Sequence, residues 1–177
     1  PVPYDKTSTY VKGADKGPEA LLAASFNLEF YDIETNTEVY KHGIYTATPV
    51  SEDRSPEQMV EAVYKSTKEY LAKDKFVVLV GGEHSVSEGC IKAHAEKYKN
   101  MCVLQLDAHS DLRPSYEGSP HNHACIMARV QEICPITQVG IRSMDVVEKP
   151  FIVPGRVFWA EKIHNQTDWM DEAVKTL

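Results

Sequence analysis

Alternating carboxylate and imidazole side chains follow an apolar run near the middle of this chain. Residues 101–106 read MCVLQL and predict a buried strand, and Asp107, His109 and Asp111 come directly after it. In an extended backbone alternate side chains point to the same side, so the three donors can converge on one spot. The carboxyl ends of strands are where open α/β sheets keep their sites. Oxygen and imidazole donors without a thiolate suit a hard or borderline divalent cation such as Mn²⁺.

A second strand end brings another imidazole to the same region. Residues 76–80 (FVVLV) predict a buried strand, and the sequence GGEHS at 81–85 follows it and contains His84. Glycine there permits a tight turn and a close backbone approach. Taken alone, residues 107–111 are as compatible with a solvated, Asp-rich turn, and a single histidine is more often structural. Two donor-bearing ends on neighbouring parallel strands favour a metal site over these structural interpretations.

The bulk composition indicates an ordinary globular protein. With 177 residues, 42% hydrophobic and 25% charged, the chain predicts a single domain over 1–177 with its own core. A formal net charge of −7 argues against nucleic acid or an anionic membrane surface as a partner and is compatible with a cationic substrate. No apolar run could span a bilayer, no secretory leader is recognisable and the four cysteines have no C-x-x-C spacing. A cytoplasmic protein with reduced thiols is therefore predicted.

The order of elements predicts an α/β fold. Ser55 can cap a helix whose Gln58 would complete a capping box. Strands and helices alternate along the chain, which implies a mainly parallel sheet with helices on both faces. Residues 107–123 are expected to form a long irregular segment, which in compact domains is often functional. The predicted helices are 17–24, 56–73, 86–98, 124–133 and the segment from 169, and the predicted strands are 28–33, 76–80, 101–106, 136–140 and 157–159.

Five short motifs occur in order along the chain: GADKGP (13–18), GGEHS (81–85), DAHSD (107–111), HAC (123–125) and GIRS (140–143). This set resembles the ordered motifs of the ureohydrolases, the arginase and agmatinase family, and covers most of the chain. The stretch 107–129 is most similar to agmatinases, and the arginase loop that reads the α-amino and α-carboxylate groups is not evident.

The resemblance implies a fold and a chemistry. The family fold is a three-layer αβα sandwich around a mainly parallel sheet, and its chemistry uses two Mn²⁺ ions and a bridging hydroxide. Carried over position by position, the resemblance makes His84, Asp107, His109 and Asp111 metal ligands and His123 the catalytic histidine. The implied reaction is hydrolysis of a guanidino compound to urea and an amine, with agmatine giving putrescine as the closest match. An imidazole that titrates near neutral pH suits protonation of the leaving amine.

Two further side chains near these motifs need an interpretation. His121 competes with His123 for the proton-transfer role, and on local sequence alone either could be a loop residue facing water. The HAC match favours His123. Glu83 stands where the family often has Asp, and we expect it to orient a metal ligand.

The chain lacks some of the acidic residues that the family uses. The later Asp-x-Asp pair and the later Glu that the family uses are not found. Asp107, Asp111 and a bridging hydroxide supply three negative charges against the four positive charges of two divalent ions, and a buried site needs fuller neutralisation. The prediction is therefore the N-terminal and central part of a ureohydrolase domain, incomplete at both ends, with activity belonging to the full-length chain.

Other functions remain open at this stage. Arg113 and Arg142 would favour a carboxylate-bearing substrate, as in a guanidinobutyrase or an arginase, although structural ion pairs are the favoured interpretation of both. A non-catalytic truncated form is an alternative from another class. A single-metal amide hydrolase related to deacetylases is disfavoured by the GIRS and HAC matches. Because the family is commonly oligomeric, a homo-oligomer is expected.

Overall fold

A short parallel sheet forms the centre of the fold. The structure is a computed structural model that describes residues 1–177. Strand β1 (Val103–Leu106) pairs with β2 (Ile136–Ile141), which pairs with β3 (Val157–Trp159), and both ladders are parallel. The register places Gln105 directly opposite Gln138. The predicted parallel sheet is confirmed for these three strands.

The structure has six α-helices, and all of them except α5 correspond to predicted helices. Ser55 caps the longest helix by accepting a hydrogen bond from the Gln58 amide, but the Gln58 side chain does not return a bond. None of the helices combines the length and the apolarity that crossing a bilayer requires. The helices are α1 (Gly17–Ser25), α2 (Pro56–Leu71), α3 (Ser87–Lys97), α4 (Ile126–Gln131), α5 (Ala160–Ile163) and α6 (Trp169–Lys175).

Adjacent residues of β2 show that helices cover both faces of the sheet. Ile136 packs in a buried cluster with Ile126 and Val130 of α4. Thr137, whose side chain points to the opposite face, shares a 2.7 Å hydrogen bond with the hydroxyl of Thr176 at the end of α6. The sheet is therefore the middle layer between helices, as the α/β pattern predicted.

A second buried cluster lies between α2, the turn before α3 and the N-terminal segment, and it includes Val60 and Val63. Gly89 of α3 lies where the backbones of α2 and α3 nearly touch. A β-carbon at Gly89 would lie 2.2 Å from the Val60 carbonyl oxygen and 2.7 Å from the Tyr64 nitrogen. Only glycine fits this contact, which fixes α3 and the turn that precedes it.

Two predicted strands are not formed. Residues 28–33 form bends and a turn with one isolated antiparallel bridge, between Asp32 and Thr37. Residues 76–80 form no strand, and the isolated parallel bridge between Val2 and Gly81 comes directly after them. The Val2 amide donates to the Val80 carbonyl at 2.8 Å. Apolar, β-branched sequence favours a strand only where a neighbouring strand supplies a hydrogen-bonded ladder, and neither segment has one.

Replacement of Gly89 by alanine should loosen the contact between α2 and α3. We expect Gly89→Ala to lower the free energy of unfolding by about 1–3 kcal/mol or more, because the new β-carbon meets backbone atoms that cannot rotate away. Gly17→Ala is the matched control, since its β-carbon would lie 3.4 Å from the nearest atom, within a helix. Urea unfolding measures both. Equal stability of the two variants would contradict the close contact.

Candidate metal centre

Three of the four predicted ligands converge in one group. Donor atoms of His84, Asp107 and Asp111 all lie within 4.8 Å of one another. The His84 Nδ1 atom is 2.9 Å from Asp111 Oδ2 and 3.6 Å from Asp107 Oδ2. Ligands on adjacent corners of an octahedral cation with bonds of about 2.1 Å are about 3 Å apart. The spacing and the donor types therefore fit a divalent metal ion, and the group could hold one.

His109 lies outside that group, next to one of its members. Its Nδ1 atom is 3.6 Å from Asp107 Oδ1, and its side chain is 63% exposed. The segment does not continue as an extended strand, because Asp111 has a φ of 52°, in the left-handed region. Asp107 presents Oδ2 to His84 and Oδ1 to His109. The four predicted donors therefore do not converge on a single point.

A tight turn at the end of residues 76–81 places His84. Gly82 has a φ of 53°, and a β-carbon there would lie 2.5 Å from the Val2 carbonyl oxygen. The short 3₁₀ turn His84–Val86 is capped by Glu83, whose carboxylate accepts from the Ser85 amide at 2.8 Å and from the Ser85 hydroxyl. The expectation that glycine is needed for close approach agrees with this geometry, and Glu83 holds the turn that carries the imidazole.

The electrostatics of the group favour a positive charge. Burial on its own lowers the pKa of His84, but the hydrogen bond with Asp111 and the charges of Asp111, Asp107 and Glu83 outweigh it. The net effect is a pKa above the usual value for histidine. Carboxylates that favour the protonated imidazole would also favour a metal cation bound to the neutral imidazole.

Two buried glutamines, Gln105 and Gln138, orient the Asp111 carboxylate. The Gln138 side-chain amide donates to Gln105 Oε1 at 2.6 Å and to the Ser110 carbonyl at 2.8 Å. Gln105 must then turn its own amide towards the site, where it is 3.3 Å from Asp111 Oδ2 and 3.2 Å from the His109 carbonyl. Sequence reasoning missed this pair. Its available signal is a single glutamine inside each of two apolar strand sequences.

His123 is fixed by the N-terminal segment. Its Nδ1 atom is 2.8 Å from the Thr7 carbonyl oxygen. Because a carbonyl only accepts, Nδ1 carries the proton of the neutral ring and Nε2 is the free acceptor. The Thr7 hydroxyl donates to Glu83, and the edge of the Tyr116 ring meets the imidazole at a centroid distance of 5.9 Å. The turns that carry His84 and His123 pack against each other, which brings the backbone of His123 near the candidate metal group.

A family model for the arginase family matches residues 1–177, the whole chain. The chain belongs to the arginase family. The N(1)-aminopropylagmatine ureohydrolases of a Synechocystis species and of Thermus thermophilus are 37% and 35% identical to it, and each alignment covers 100% of this chain. The agmatine ureohydrolase of Thermoplasma volcanium has a similar structure, with a TM-score of 0.87 and 27% identity over 99% of this chain. The family and the arginase-like fold predicted from the sequence are confirmed.

This arginase-family chain spans only part of the length of its relatives. It covers 61% and 62% of the two ureohydrolases and 61% of the Thermoplasma chain. The motifs at 81–85, 107–111 and 123–125 fall within the matched part. The candidate metal group is therefore assembled from residues in a region that the relatives also possess.

His121 occupies a different environment from His123. Its Nδ1 atom is 2.8 Å from Glu88 Oε2, and Glu88, in α3, is only 6% exposed. Burial raises the pKa of Glu88, although the neighbouring imidazole opposes the shift. His121 is thus tied to α3, whereas His123 lies in the turn that packs against the turn of His84.

The two arginines near the motifs, Arg113 and Arg142, have different surroundings. Arg113 lies 3.2 Å from Asp145 Oδ2 and stacks on the Tyr116 ring at 4.6 Å. Arg142 is exposed, and its guanidinium donates to the Gly140 carbonyl at 3.3 Å. The ion pair of Arg113 agrees with the favoured structural interpretation, whereas Arg142 makes no ion pair.

The thiol of Cys125, in the turn His123–Cys125, gives a test of whether this turn is closed to solvent. Cys125 is fully buried, and burial raises its pKa to about 11. At pH 8 we expect iodoacetamide to modify Cys125 roughly a hundredfold more slowly in the folded protein than in denaturant, because only the thiolate reacts. Mass spectrometry of the Cys125 peptide over time measures the rate. Equal rates with and without denaturant would mean that the His123–Cys125 turn is open.

Proposed function

We propose that the full-length protein is a Mn²⁺-dependent ureohydrolase. It would hydrolyse a guanidino compound to urea and a primary amine, with agmatine and water giving putrescine and urea. The observation that carries the proposal is the convergence of His84, Asp107 and Asp111 beside His123 in an arginase-family chain. Neither a structural turn nor a solvated acidic loop requires this combination.

The chain offers ligands for two neighbouring ions. His84, Asp107 and Asp111 would hold one, and His109 with the other oxygen of Asp107 would contribute to the second. When bound, two such ions lower the pKa of a shared water, so that a nucleophile is available at neutral pH.

The donors of this chain do not complete such a site. Two carboxylates supply two negative charges, and four ligand residues are too few for two ions that each prefer about six ligands. We propose that the missing donors, including an Asp-x-Asp pair, lie in the additional length that the relatives have. Sequencing of the complete reading frame tests this directly, because a frame that stops after Leu177 would favour a non-catalytic short form.

His123 is the group best placed to move a proton. The Thr7 carbonyl holds Nδ1, which leaves Nε2 to take up a proton and deliver it to the leaving amine. An amine is a poor leaving group until it is protonated, so this step supports cleavage of the carbon–nitrogen bond.

The names of the relatives support a second candidate substrate. The two ureohydrolases at 37% and 35% identity are named for N(1)-aminopropylagmatine, which carries the same guanidinium on a longer polyamine. The acidic chain, with a net charge of −7, is compatible with either cation. A carboxylate-bearing guanidino acid is less favoured, because Arg113 is held by Asp145.

Urea release by the full-length protein tests the reaction and the substrate. We expect two Mn²⁺ per protomer, loss of activity on chelation, and a higher kcat/KM for agmatine or N(1)-aminopropylagmatine than for arginine or 4-guanidinobutyrate. The measurement is steady-state urea production with metal analysis of the same sample. A protein that binds two Mn²⁺ and releases urea from none of the four substrates would contradict the proposal.

Replacement of His123 separates proton transfer from metal binding. His123→Asn should lower kcat by about 10²–10⁴-fold with Mn²⁺ stoichiometry unchanged, because the proton donor is lost and the ligands remain. His121→Asn is the matched control and should retain kcat within about tenfold, since His121 contacts Glu88. The reverse ranking of the two variants would assign the proton-transfer role to His121.

A further inference from the structure

We propose that Glu148 is a positioning residue for the metal site, acting through the turn Ser110–Leu112 that presents Asp111. The inference rests on the proposed function, because it concerns how a metal ligand is held. Glu148 lies 37 residues beyond Asp111 and belongs to none of the motifs that suggested the site.

The carboxylate of Glu148 contacts the residues on both sides of Asp111. Its Oε2 atom accepts hydrogen bonds from the Ser110 hydroxyl and, at 2.8 Å, from the Leu112 amide. Its Oε1 atom accepts from the Asp145 amide at 2.7 Å, which caps the 3₁₀ helix Val146–Phe151. One side chain therefore joins the metal-binding turn to the segment that follows β2.

The environment requires a carboxylate at this position. Glu148 is 3% exposed, and Ser110 and Leu112 are fully buried. Buried donors need partners, and a carboxylate can accept from all three donors whereas an amide would direct an N–H group against one of them. The charge is compensated by these bonds and by the Arg113 guanidinium, whose Nε is 3.7 Å from Oε1.

The backbone of Asp111 explains why this turn needs to be held. A φ of 52° is a left-handed conformation that residues with a β-carbon adopt at an energetic cost. Its own carbonyl accepts from the Met127 and Ala128 amides at the start of α4, and the Ser110 carbonyl accepts from Gln138. These partners bind the carbonyl groups of the turn. Glu148 accepts from the donors of the turn, the Ser110 hydroxyl and the Leu112 amide. Loss of Glu148 would leave both buried donors unpaired.

The test is the Mn²⁺ affinity of Glu148→Gln in the full-length protein. Electron paramagnetic resonance of free Mn²⁺ gives the affinity, and circular dichroism and urea unfolding report the folded state. We expect binding at least about tenfold weaker than in the wild type, because loss of groups that orient metal ligands weakens metal binding by about 10–100-fold. Leu71→Ala is the control for stability alone, since Leu71 is buried at the end of α2, outside both core clusters, and its truncation should leave Mn²⁺ affinity unchanged.

Ser110→Ala keeps the test decisive if Glu148→Gln does not fold. This variant removes one of the three bonds to Glu148 and should weaken Mn²⁺ binding by about two- to tenfold. Wild-type affinity in a folded Glu148→Gln protein, or in Ser110→Ala, would overturn the positioning role. An equal loss in Leu71→Ala would also overturn it, because stability alone would then explain the effect. Absence of Mn²⁺ binding by the wild type would instead defeat the proposed function itself.

Discussion

Repulsion between the Asp107 and Asp111 carboxylates is the constraint on which the arrangement of this fold depends. Their oxygen atoms lie within 4.8 Å of one another and of the His84 imidazole. Like charges this close are held together only if other groups oppose their separation. The strand register, the glutamine pair and the left-handed turn at Asp111 all have this effect. The site is thus a pair of neighbouring carboxylates that His84 and the rest of the sheet edge hold together.

The part of the site that could be predicted from sequence is the part set by local pattern. Apolar runs followed by donors correctly indicated that the end of β1 and the segment before His84 meet. The same reasoning placed strands at 28–33 and 76–80, where no ladder forms, because a run of apolar residues carries no information about whether a partner strand is present. It also assumed an extended backbone through Asp111, and side chains alternate regularly only in such a backbone.

The contacts that sequence could not reveal join residues far apart in the chain. The Thr7 carbonyl fixes a nitrogen of His123, 116 residues later, although nothing in the sequence around Thr7 indicates this contact. Gln105 and Gln138 become meaningful only once the register sets them side by side. Glu148 likewise needs the turn after β2 to bring it back to Ser110. Local spacing determines which chemistry is available, whereas long-range packing determines the orientation of each group.

The fixed orientation of the Gln105 and Gln138 amides has a consequence for the thermodynamics of metal binding. Because Gln138 donates to two acceptors, the Gln105 amide cannot rotate without loss of a buried bond, and Asp111 keeps one rotamer. The conformational entropy of this ligand is therefore lost when the chain folds and not when the ion arrives. Release of water from the ion and the carboxylates would then dominate the entropy of binding.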